Sequence, residues 1–191
     1  DVAVERGLLQ ACLAEAVEAS FNAITVDGDT STNDACILAA TGSLGNAPIA
    51  EADSADYRSL CHAVGDLCQE LATAIVRDGE GATKLVTLVV MEAKDQEEAR
   101  RVADTIAHSP LVKTALFASD PNWGRILAAV GRSGLRDLDI DRVRIWLGDT
   151  LIVQGGGRDP GYTEDAGREA MAGSDIGIRV ALGRGQASTR V

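Results

Sequence analysis

Asp78-Gly79-Glu80-Gly81-Ala82-Thr83-Lys84 runs straight into Leu85-Val86-Thr87-Leu88-Val89-Val90, and this junction holds the clearest chemistry in the chain. The apolar, β-branched second half reads as a buried strand. The first half reads as a tight turn whose two glycines supply backbone angles closed to other residue types. Between those glycines stands Glu80. A carboxylate at the mouth of a strand, with glycines allowing close approach on either side, suits a cationic ligand and repels a phosphate. The same residues also fit a solvated glutamate in an ordinary helix-to-strand turn. A phosphate loop is rejected, because the glycine spacing and the residue after the lysine are wrong and Glu80 has the wrong sign.

Two polar knots accompany this turn. Asp27-x-Asp29-x-Ser31 opens like a calcium loop, yet its sixth and twelfth positions hold Thr32 and Leu38 where glycine and glutamate are required. A turn whose Asp, Ser, Thr and Asn side chains satisfy backbone amides is the better account. That density of self-bonding side chains also makes Asp29, Thr30, Ser31, Asn33 and Asp34 candidates for a rigid pocket wall. The second knot, Ser119-Asp120-Pro121-Asn122-Trp123-Gly124-Arg125, adds Asn122 and Arg125 to that list. A purely structural role fits each of these residues as well. His62 and His108 lie in helical patterns without acids or cysteines at metal-ligand spacing, so no metal is expected. No G-x-S-x-G occurs, and no Ser-His-Asp set can be assigned.

These residues must be positioned by elements that the apolar periodicity marks out. Helices are expected over 4–19, from the N-cap Ser54 through Leu60, Val64, Leu67, Leu71 and Ile75, and over 95–108, 111–117, 126–130 and 163–172. Strands are expected over 21–26, 35–40, 83–91, 143–147, 151–153 and 176–182, with a hairpin at Gly148-Asp149. Strands in adjacent pairs, interrupted by helices, give an α/β class with mixed sheets and helices on the outer faces. A smaller C-terminal lobe is expected from about residue 140.

At 191 residues the chain can bury roughly 70% of its unfolded surface. Its hydrophobic content of 46% with 3% aromatics describes an aliphatic core. A formal charge of −11 argues against nucleic acid. The cluster Arg125, Arg132, Arg136, Arg142 and Arg144 is expected to answer Asp137, Asp139 and Asp141. No apolar run reaches membrane length and no signal peptide opens the chain, so no membrane partner is expected. Cys12, Cys36, Cys61 and Cys68 lack C-x-x-C spacing and read as packed thiols in a reducing, cytoplasmic compartment.

Three segments occur in a fixed order: Phe21-Asn22-x-Ile24 through Asp34, then Asp78 through Lys84, then Ser109-Pro110-Leu111-Val112-Lys113-Thr114-Ala115 with Asp120 through Ile126. Together they closely resemble the β chain of the ornithine acetyltransferase (glutamate N-acetyltransferase) family, over nearly the whole chain. The resemblance implies an N-terminal-nucleophile fold and a precursor that cuts itself before a threonine. That threonine takes the acetyl group of N-acetylornithine as an acyl-enzyme and passes it to glutamate; some members also accept acetyl-CoA. Such an enzyme pairs the β chain with an α chain, doubled into an α2β2 heterotetramer, and needs no other cofactor. By this resemblance Glu80 contacts substrate, and the oxyanion is held by the α chain.

No residue here matches the nucleophile, which the resemblance places upstream of Asp1. The family's substrate-binding tail also lies beyond Val191, so the chain is read as most of one β chain trimmed at both ends. Ala118 stands where the family has glycine. Two other readings stay open: an N-terminal-nucleophile aminopeptidase or amidase, and a non-catalytic small-molecule binding subunit.

Overall fold

The computed structural model describes residues 1–191, which fall into two compact units, 1–79 and 80–191. In the first, α1 (Arg6–Ala19) packs against α2 (Ala55–Arg77). α1 starts two residues later than the periodicity suggests, because Val4 is held in a parallel bridge to Ile49. Ser54 caps α2, its hydroxyl accepting from the Tyr57 amide at 3.1 Å, and the Tyr57 hydroxyl donates to Leu8 O at 3.0 Å across the helix pair. The contact between the helices uses small residues: Cys12 and Ala16 of α1, Cys68 and Ala72 of α2 are buried.

The two strands expected in this unit do not form. Phe21–Ala23 is a single 3-10 turn, and residues 35–40 join no sheet. The composition is right, but a strand is stable only against a partner edge, and the unit offers one bridge and no sheet.

All four cysteines are free thiols, with Cys12 and Cys68 buried and Cys36 exposed, so the expected packing fails at Cys36. Burial, and then a hydrogen bond with Cys61, push the Cys12 thiol from near 9 up to about 12. The hydrogen bond with Cys61 and then burial push the Tyr57 phenol up to about 12. Both folded values lie above the ordinary ones, so these groups stabilise the fold fully below their unfolded pKa. Above it the unfolded chain sheds protons that the folded chain retains, and stability is lost as pH rises. Urea midpoints are therefore expected to be flat up to about pH 9 and to fall between about 9 and 12. A midpoint that rises over that window would remove Cys12 and Tyr57 from their buried contact.

The second unit is a six-stranded sheet in the order β4-β3-β2-β5-β1-β6. Its strands are β1 (Leu85–Ala93), β2 (Arg144–Leu147), β3 (Thr150–Gln154), β4 (Gly157–Arg158), β5 (Asp175–Ala181) and β6 (Ala187–Arg190). Only β1 and β5 run parallel; every other pairing is antiparallel. The strands after residue 140 thus share one sheet with β1. The expected hairpin turns at Gly148, whose φ of +55° suits glycine. β4 and β6 were not legible in the sequence, since both are short and polar.

Helices α3 (Gln96–Ala107), α4 (Pro110–Phe117), α5 (Trp123–Gly131) and α6 (Glu164–Ala170) follow the predicted order. Asp95 caps α3 by accepting from the Glu98 amide at 2.8 Å. The buried stripe Ala99, Val102, Ala103 and Ile106 turns α3 onto β1 and β6. Ile145, Leu147, Ile178, Val180, Leu88 and Val90 supply the facing sheet side. No helix is long and apolar enough to cross a membrane.

The arginine cluster is satisfied differently from expectation. Arg144 Nη2 donates to both oxygens of Glu92, at 2.7 and 3.0 Å, and Arg132 Nη2 to Thr105 O at 3.4 Å. The guanidinium groups of Arg144 and Arg179 lie over the Trp146 ring, 5.3 and 5.5 Å from its centre. These partners stand far away in sequence, so charge spacing along the chain could not reveal them.

Candidate functional site

Glu80 opens the second unit at the mouth of β1. Gly81 has φ +71°, and a Cβ built there would meet nothing within 4 Å. Backbone geometry alone therefore requires that glycine, and the space beside it is open. Gly79 does not take a left-handed φ, so one glycine and not two shapes the turn. Glu80 is exposed, and its carboxylate has no hydrogen bond or ion pair within the chain.

The parallel partner of β1 builds the side of this mouth. Leu85 N donates to Ser174 O at 2.7 Å and the register begins at Leu85 against Asp175. Lys84 Nζ donates to Gly173 O at 3.2 Å and to Met171 O at 3.4 Å. The lysine of the motif is thus held by carbonyls between α6 and β5. That leaves the motif's carboxylate free to meet an external cation.

In the knot 119–125, Asn122 is the N-cap of α5: its Oδ1 accepts from Arg125 N at 3.1 Å and its Nδ2 donates to Asp120 Oδ2 at 3.0 Å. Arg125 Nη1 donates to Leu111 O at 2.9 Å and Thr114 Oγ1 at 3.0 Å, which ties α5 to α4. Both residues position helices, and no hydrogen bond links either to Glu80. Ala118, with φ −77°, needs no glycine; the left-handed residue is Ser119 at φ +53°.

One feature near this knot gave no sequence signal. The Tyr162 hydroxyl is buried without a partner, and burial, then Glu164 and Asp120, push its pKa up. A methyl group at Gly167 would overlap that hydroxyl, so glycine there is demanded by contact.

The knot 27–34 belongs to the first unit and behaves as a self-bonded turn. Asp27 Oδ1 accepts from Asp29 N at 2.8 Å, and Ser31 Oγ accepts from Asn33 N at 3.3 Å and Asp34 N at 3.1 Å. Asp29, Thr30, Ser31, Asn33 and Asp34 are all exposed. No group of three or more His, Cys, Asp or Glu side chains is arranged to hold a metal ion.

Comparison with known proteins places these elements in context. The profile of the ArgJ family matches residues 1–191. The arginine biosynthesis bifunctional protein ArgJ of Methylococcus capsulatus is 59% identical over 191 residues, covering 100% of this chain and 47% of that protein. The chain therefore spans about half the length of this curated relative. The crystal structure of arginine biosynthesis bifunctional protein argJ from Bacillus halodurans matches with a TM-score of 0.92 at 35% identity. That match covers 100% of this chain and 89% of the solved one.

Proposed function

This chain belongs to the ArgJ family, and from that membership we propose that it is most of the β chain of an enzyme moving acetyl from N-acetylornithine to glutamate. Glu80 is the observation that carries the reading: an exposed, unpaired carboxylate at a strand mouth, beside open space at Gly81. It receives the side-chain ammonium group of ornithine through a charge-assisted hydrogen bond.

The nucleophile is a threonine outside these 191 residues, at the head of the β chain. Its Oγ attacks the acetyl carbonyl while its own α-amine takes the hydroxyl proton. The amide C–N bond breaks, the proton goes to the departing amine of ornithine, and an acetyl ester remains. The amine of glutamate then attacks that ester, gives up a proton and regenerates the hydroxyl. Donors of the α chain hold the oxyanion.

Two comparisons support the division into chains. The solved Bacillus chain is nearly coextensive with this one, whereas the Methylococcus protein is about twice as long. The enzyme is then an αβ pair, doubled into α2β2. Free cysteines fit a cytoplasmic location, where thiols stay reduced. The relatives' names call those proteins bifunctional; the second acetyl donor to glutamate in this proposal is acetyl-CoA.

The full-length gene product, supplied with N-acetylornithine and glutamate, is expected to form N-acetylglutamate and ornithine in equal amounts. Release of acetate without N-acetylglutamate would replace this reading by an amidase. Absence of either product would replace it by a binding subunit.

A further inference from the structure

The turn that carries Glu80 has little to hold it in place. None of the side chains of residues 80–83 makes a hydrogen bond. Gly81, in the left-handed region, adds to the freedom of that stretch. The β1–β5 ladder begins only at Leu85, whose N–H reaches Ser174 O at 2.7 Å. Lys84 stands between the ladder and the loose stretch. Its ammonium donates to Gly173 O at 3.2 Å and to Met171 O at 3.4 Å, two carbonyls that no turn or loop amide serves.

Those acceptors are firmly seated. Met171 is the C-cap of α6, and its side chain is buried in the core of the second unit. Gly167, one turn earlier, is pressed against the Tyr162 hydroxyl and Pro121. A cation at the C-terminal end of a helix also meets the last unpaired carbonyls and the negative end of the dipole. Lys84 thus carries the anchored part of the strand mouth one residue closer to Glu80. It does so through bonds that span 87 and 89 positions.

We infer that Lys84 is a positioning residue for Glu80: its clamp on Met171 O and Gly173 O fixes the turn 80–83 in the arrangement that receives a cationic substrate. This assignment rests on the reading of Glu80 as the acceptor of ornithine's side-chain ammonium group. Without the clamp the last fixed point is Leu85 N, and binding has to order the turn. The apparent affinity then falls in proportion to the time the turn spends out of place. Charge alone has the opposite sign. A positive charge four residues from Glu80 disfavours a cationic ligand, so its removal would by itself tighten binding. A lysine that served only as a helix cap would alter thermal stability and leave substrate affinity as it was.

The test is a double-mutant cycle in the full-length gene product, read as Michaelis constants for N-acetylornithine. Lys84→Met is expected to raise the constant about fivefold with kcat unchanged, since substrate and transition state lose the contact alike. In the Glu80→Gln background the same replacement is expected to change it by less than about twofold, because the charge it positions is already gone. A full rise in both backgrounds would make Lys84 a substrate contact in its own right and overturn the assignment. A constant that stays level or falls with Lys84→Met alone would leave Lys84 a helix cap and overturn it too. Should Lys84→Met not fold, Lys84→Gln takes its place in the cycle. A wild-type enzyme that moves no acetyl from N-acetylornithine defeats the transferase reading and this assignment with it. An active enzyme with an additive or silent Lys84 defeats only the positioning.

Discussion

Glu80→Gln, introduced into the full-length enzyme, is expected to raise the Michaelis constant for N-acetylornithine about tenfold and leave thermal stability unchanged. The substitution keeps the shape of the side chain and removes its charge. A charge-assisted hydrogen bond contributes about 1.5–3 kcal/mol, and exposure of Glu80 points to the lower end, which corresponds to about tenfold. Stability is unaffected because the carboxylate has no partner within the chain to lose. That combination separates ligand binding from a structural role: a structural glutamate would lower the melting temperature without touching KM. An unchanged Michaelis constant would return Glu80 to the solvated turn that its sequence context equally permits.

Arg184→Met is expected to cost about 3 kcal/mol of stability, because it strands a carboxylate in the core of the second unit. Arg184 Nε donates to Glu98 Oε1 at 2.8 Å, with the two side chains 20 and 9% exposed. The rest of the guanidinium is engaged as well, Nη1 with Asp137 O at 2.7 Å and Nη2 with Arg136 O at 3.3 Å. Without it Glu98 keeps a single 3.3 Å bond from Lys94 N. By contrast Arg100→Ala breaks a helix-surface pair with Asp104, about one-third exposed on each side, and is expected to cost about 0.5 kcal/mol. The double replacement Arg184→Met with Glu98→Gln is expected to recover part of the loss, since no charge is then buried. Thermal denaturation of the full-length protein checks all three. A cost for Arg184→Met no larger than that of Arg100→Ala would show that the pair is screened like a surface pair.

Local rules in the sequence accounted for much of this architecture. Ser54, Asp95, Ser109 and Asn122 each cap a helix with their own side chain, because the hydrogen bond involved spans three residues. The hairpin at Gly148 and the buried run of β1 were readable for the same reason. The three ordered motifs carried the family, and the ornithine acetyltransferase-like α/β fold they implied is the fold of the solved relative. They also singled out Glu80, where a charge stands between glycines next to a buried strand.

Only tertiary structure decided the rest, and in each case because the deciding partner is distant or lies outside the segment. Residues 21–26 and 35–40 have strand composition, yet strand formation depends on an edge that their own sequence does not provide. The apolar periodicity of α2 located the helix correctly but not its packing face, since small residues let α1 approach closely and left the large ones outside. Glu98 meets Arg184 across 86 positions, and Lys84 reaches Gly173 across 89. Helix caps and turns close over three or four residues and are written in neighbouring letters. Buried ion pairs, sheet edges and helix packing faces depend on the path of the whole chain, which no local pattern encodes.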